Sequence, residues 1–158
     1  MAASERGECP VPEPPDLSIY RPAVTAYLAD VRALAKIARE RAGQQAYAKA
    51  LDAAEERHAR IPYAPSGAGH IERALKALRK ATNECQAAVV RYDRAVAVEV
   101  GTKRLDRRGG IVQDVERVTQ ERQTNEERLW QAGETIRVRI EQVEALLAPS
   151  PEPTRPTP

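Results

Sequence analysis

The strongest constraint on this chain is a pair of apolar stripes, repeating every seven residues, that meet at two adjacent glycines. The first stripe reads Ile71, Leu75, Leu78, Thr82, Cys85, Val89, Tyr92 and Val96. The second reads Ile111, Val115, Val118, Arg122, Asn125, Leu129, Ala132, Ile136, Ile140, Val143 and Leu147. Steps of three and four residues straddle the 3.6-residue turn, so each stripe lies along one face of a helix. Gly109-Gly110 between them supplies a turn. The pattern predicts two long helices, 70–105 and 111–148, doubled back on each other, with left-handed supercoiling from the strict seven-residue spacing.

A third helix is expected over 22–60. Pro22 suits a first helical turn, and no further proline appears before Pro62. Val24, Leu28, Val31, Leu34, Ala35 and Ala38 form its apolar face, continued more thinly by Tyr47, Leu51 and Ala54. Gly43 costs about 1 kcal/mol relative to alanine inside a helix; the helix is expected to run through it, with a bend or a close helix contact at Gly43 as the alternative. Residues 61–69, IPYAPSGAG, are turn chemistry, with Ile61 and Tyr63 placed to fold back over the bundle end.

Three helices of about 55 Å joined by short turns must run up, down and up. The fold class is therefore all-α, an elongated antiparallel three-helix bundle or coiled-coil hairpin spanning residues 17–148. In that register Leu34 falls beside Val96, Leu51 beside Leu78, Val89 beside Trp130, and Gly133 in the Cys85 layer. Residues 1–16 form an acidic tail with prolines at 10, 12, 14 and 15, and 149–158 a second proline-rich tail. Proline fixes φ and removes a backbone donor, so both tails are expected to be extended.

Composition fits narrow helical seams rather than a thick globular core. Charged residues make up 30% and aromatic residues 4%, with no phenylalanine. Four polar residues, Thr82, Arg122, Asn125 and Arg139, interrupt the stripes. A buried unpaired charge costs several kcal/mol. The arginine heads must therefore either reach out to solvent along their stems or pair with Glu99, Glu126 or Asp93. Cys9 and Cys85 read as free thiols, Cys85 acting as a small core residue.

The formal net charge is +2, which disfavours a general nucleic-acid-binding domain. The local exception is KRLDRR at 103–108. Lys103, Arg104, Arg107 and Arg108 crowd the end of the second helix, where cations also stabilise the helix dipole. They are the candidate interaction tip, suited to phosphate or an acidic protein surface. Arg73, Lys76, Arg79 and Lys80 form a second basic strip on the outer face of that helix, diluted by Glu72 and Glu84, and read as a solvated face. His58 and His70 flank the turn with Glu55 and Glu72 nearby, but their spacing is not that of a metal motif. Carboxylates interleave with arginine and lysine at i,i+3 and i,i+4, as surface pairs do.

No catalytic, cofactor-binding or metal-binding residue is assigned, and an enzyme is not expected. The reading is a structural or adaptor protein, a helical-bundle part of a larger assembly such as a virion, secretion machine or scaffold. It would act through protein partners and self-association. Phosphate-backbone binding by nucleic acid at the basic tip is the alternative. No apolar run is long enough for a membrane span, and no signal peptide is seen, so a cytoplasmic or virion-associated location is expected.

Overall fold

The computed structural model describes residues 15–106 and 112–148. The chain is all-helical there, with α1 at Tyr20–Glu40, α2 at Gln44–Ala59, α3 at Gly69–Asp106 and α4 at Val112–Leu147. Gly109-Gly110, Arg107, Arg108, Cys9 and most of both proline-rich tails lie outside the described residues.

The expected continuous helix over 22–60 is two helices. Arg41 adopts the left-handed conformation with φ 54°. Its N–H donates to the Ala38 carbonyl and the Ala42 N–H donates to the Ile37 carbonyl, both at 3.2 Å. These two bonds form the Schellman arrangement, which satisfies the last carbonyls of a helix and reverses its direction. Gly43 follows with φ 107° and ψ 163°, a region essentially restricted to glycine. The next helix is capped from a distance: Asp93 on α3 accepts the Gln44 N–H at 2.7 Å.

The break changes the topology. A continuous rod would carry Tyr20 to the far end of α3. Instead α1 turns back, and Arg21 donates to the Leu147 carbonyl at the end of α4. Further along, Arg41 pairs with Glu126, so α1 and α4 run in opposite senses. Helix α2 opposes α3 through Tyr47 with Thr82 and Glu55 with Arg79. It opposes α1 through His58 with Tyr27 and Arg57 with Asp30. Four helices thus alternate in direction where three were expected, and the juxtaposition of Leu34 with Val96, which required the unbroken rod, is replaced. Gly133 also differs: a methyl group there would meet Ala38 at 3.7 Å and the Ala35 carbonyl at 3.8 Å, so it faces α1. Trp130 is 55% exposed, while its neighbour Leu129 is buried.

The core follows the stripes. Ile71, Leu75, Leu78, Thr82, Cys85 and Val89 are buried on α3, and Val118, Leu129, Ile136, Ile140, Val143 and Leu147 on α4. Two tyrosines add volume. Tyr47 donates its hydroxyl to the Thr82 carbonyl at 2.7 Å, and the Thr82 hydroxyl donates to the Arg79 carbonyl at 2.6 Å. Burial pushes the Tyr27 hydroxyl up to about 12 and raises the Cys85 thiol. Both effects come from loss of water around the charged form. Cys85 is buried in the core, as its stripe position predicts. Ile61 packs partly against the core, but Tyr63 does not fold back.

Length mismatch shapes the molecule. Helices α1 and α2 have 21 and 16 residues, α3 and α4 have 38 and 36. The short pair therefore covers only the part of the long pair from Gly69 to Asp93 on α3 and from Glu126 to Leu147 on α4. Past Asp93 and Glu126 the remaining turns of α3 and α4 stand out as a two-helix arm. No helix among the described residues is long and apolar enough to cross a membrane.

Candidate interaction surfaces

A chain of alternating charges marks the root of the arm. Lys103 reaches Glu99 at 3.2 Å, Glu99 accepts from Arg122 at 3.0 Å, and Arg122 reaches Glu126 at 2.6 Å. Glu126 then pairs with Arg41 at the end of α1. Of the two outcomes open to Arg122, pairing wins, because both carboxylates lie within reach of its half-buried head. Burial pushes the Glu99 carboxyl upward, but the bonds from Arg122 and Lys103 outweigh it and hold the group below its usual range. The other stripe interruptions resolve locally. Asn125 donates to the Glu121 carbonyl one turn back, and Arg139 is exposed and donates to Gln142.

The basic tip lies at the end of the arm. Lys103 is committed to Glu99, and Arg104 is exposed in the last turn of α3. Arg107 and Arg108 fall outside the described residues. Behind the tip the arm carries apolar side chains on its surface. Val98 and Val100 are exposed, and Leu105 is 64% exposed. Val118 is buried between the helices of the arm. Two helices bury only the strip between them, so apolar residues on their other faces meet water unless something covers them.

The second basic strip lies along the outer face of α3. Arg73, Lys76, Lys80, Arg91 and Arg94 are all exposed. Arg79, at the edge of the strip, turns inward and holds Glu55 through two bonds at 3.0 and 3.2 Å. Where α2 ends and α3 begins, an open groove of about 910 Å³ is lined by His58, Tyr63, Glu72, Arg73, Lys76 and Arg79, among others. Tyr63 is 99% exposed at its rim. Periodicity identified the strip's first turns; Arg91 and Arg94, three turns further along the same face, were missed.

The histidine group does not assemble. The His58 ring meets Tyr27 edge-on at 5.2 Å, and Glu55 is engaged by Arg79. Burial and the nearby Arg79 guanidinium lower the His58 pKa, with Glu55 opposing them. Among the described residues, no three histidine, cysteine or carboxylate side chains are arranged to hold a metal ion. No protein-family model matches the chain, and no curated protein or solved structure shows significant similarity to it.

Proposed function

We propose that this protein is a structural or adaptor part of a larger assembly, without catalytic activity of its own. In this reading the four-helix half is a rigid head, and the arm is the contact element. The observation that carries the reading is the arm's surface: Val98, Val100 and Leu105 face water on an extension that α1 and α2 do not reach. Exposed apolar side chains grouped on one projecting element favour a protein partner.

The partner favoured here is the arm of a second copy. In the arm, α3 exposes Arg94 and Arg104, while α4 exposes Glu116 and Glu121 with Arg117 between them, drawn toward Asp114 at 3.7 Å. Val98 and Leu105, seven residues apart, share one face of α3, while Val100 lies on another. Two arms laid in opposite senses, α3 against the other copy's α4, set opposite charges around the Val98 and Leu105 face. Such pairing of helices through an apolar strip with flanking charges is how coiled-coil partners are chosen. A spacer or scaffold role follows, since the heads would be held apart by the arms.

The test is the mass in solution by light scattering, for the parent chain and for a Val98→Lys, Leu105→Lys variant. The reading expects a dimer that the variant converts to a monomer with unchanged helicity. A parent chain that stays monomeric across the accessible concentration range removes self-pairing. A dimer indifferent to the variant places the contact elsewhere.

A further inference from the structure

We propose that the outer face of α3 binds the phosphodiester backbone of single-stranded nucleic acid, at a site that runs along the head, ends at Arg94 on the first turn of the arm, and is separate from the basic tip. Arg73, Lys76, Lys80, Arg91 and Arg94 follow one another by three, four, eleven and three residues. Each step is close to a whole number of helical turns, so the five side chains form a single row about 31 Å long on a straight helix. Elsewhere Arg32, Arg41, Arg57, Arg122 and Arg137 each close on a carboxylate. Among the described residues, Arg73, Lys76, Arg91 and Arg94 have no carboxylate partner. Lys80 has only Glu84, at 3.9 Å one turn away. The whole-chain balance of +2 therefore conceals a segregated charge.

Two further features fit a nucleic-acid strand. Along its first half the row is flanked by short side chains, Ala77, Asn83 and Ala87, which form a shallow channel with Arg73, Lys76 and Lys80; Glu84 lines it too and interrupts the positive charge before Arg91. At its Arg73 end the channel runs into the α2–α3 groove, where Tyr63 stands free at the rim. A basic track ending at an exposed aromatic ring is the combination that single strands use, with phosphates on the cations and a base stacked on the ring. Glu72 also lines the groove and Arg79 there is held by Glu55, so its positive charge rests on Arg73 and Lys76.

The probe is a fluorescent single-stranded oligonucleotide, followed by anisotropy across a salt series, with the duplex of the same sequence as a second arm. Five contacts to a single strand give a slope of log K against log salt of about −3.5. Reversing Arg73, Lys76 and Lys80 to glutamate should flatten that slope by about two and weaken low-salt binding at least about tenfold. Reversing Lys36, Arg39 and Lys49, on α1 and α2, makes the same change in net charge and should leave the slope unaltered. Tyr63→Ala should weaken the single strand about tenfold and the duplex little. All these positions are exposed, and circular dichroism verifies the fold of each variant. No binding at low salt overturns the proposal. Equal losses for the two triple variants would show attraction to bulk charge instead of a track. A preference for duplex, or indifference to Tyr63→Ala, would overturn the single-strand assignment. Binding only to an acidic protein would replace nucleic acid with a different partner.

Discussion

Two glycine-to-alanine substitutions should shift stability in opposite directions. At Gly43 the backbone sits at φ 107° and ψ 163°. An added Cβ would find its nearest neighbour, an Asp93 carboxylate oxygen, at 3.8 Å, an ordinary contact. Alanine is therefore opposed there by backbone strain alone, about 1–3 kcal/mol, against about 0.4–1 kcal/mol gained by restricting the unfolded chain. The net expectation is a loss of roughly 1–2 kcal/mol. At Gly133, inside α4, the added methyl would lie 3.7 Å from Ala38. There alanine relieves the helical cost of glycine and should gain up to about 1 kcal/mol. Urea unfolding followed by circular dichroism measures both. With a slope of about 2 kcal/mol per molar, Gly43→Ala should lower the midpoint by about 0.5–1 M and Gly133→Ala should raise it by up to about 0.5 M. A continuous helix over 22–60 predicts a gain at both positions. A stabilising or neutral Gly43→Ala would thus refute the break between α1 and α2, and with it the four-helix head.

Two other measurements probe the head. Tyr47→Phe removes the buried hydroxyl bond to the Thr82 carbonyl; the carbonyl lies within α3, so a loss of about 1 kcal/mol in the same urea assay is expected, and no loss would mean that the bond contributes nothing net. His58 should make stability fall in mild acid: its folded pKa lies below the ordinary 6.5, so as pH drops through 6.5 the unfolded chain takes up a proton first. Stability should be level above about pH 7, decline between 6.5 and the lower folded pKa, and lose that decline in His58→Gln; an unchanged pH profile in the variant would place the titration elsewhere.

Much of this fold was legible in the residues. The α3 stripe from Ile71 to Val89 is buried throughout, because seven-residue spacing and burial are two aspects of one periodicity. The break at Arg41 was not legible for two physical reasons. Its left-handed position is filled by arginine in place of the usual glycine, so the one local sign of the stop is Gly43, two residues on, which a helix can also tolerate. The start of α2 is capped by Asp93, 49 residues away, which no local pattern can announce. Beyond Val89 the stripe continues through Tyr92 and Val96, but these are only partly buried. The same spacing that gives a core inside the head gives a two-helix seam outside it, and periodicity cannot tell the number of neighbours. The basic row was legible only in part for a similar reason. Its residues can be read from spacing, whereas the pairing of cations elsewhere depends on which helices become neighbours.

The boundary between head and arm is itself set by charge. Where α1 ends, Arg41 joins Glu126, Arg122, Glu99 and Lys103 into one alternating series, and Asp93 fixes the first turn of α2 beside it. Each carboxylate in the series lies between two cations, so removing an interior member leaves like charges or an unpaired, half-buried group behind. Removing the end member Lys103, whose own side chain is exposed, leaves Glu99 still held by Arg122, and a pair with an exposed partner contributes little. The interior pair Glu99 and Arg122, with side chains 13% and 24% exposed, should therefore couple more strongly than either outer pair. This places the mechanical joint of the molecule at the level where the short helices stop: above it four helices share a core, below it two helices depend on one apolar strip and this series of charges.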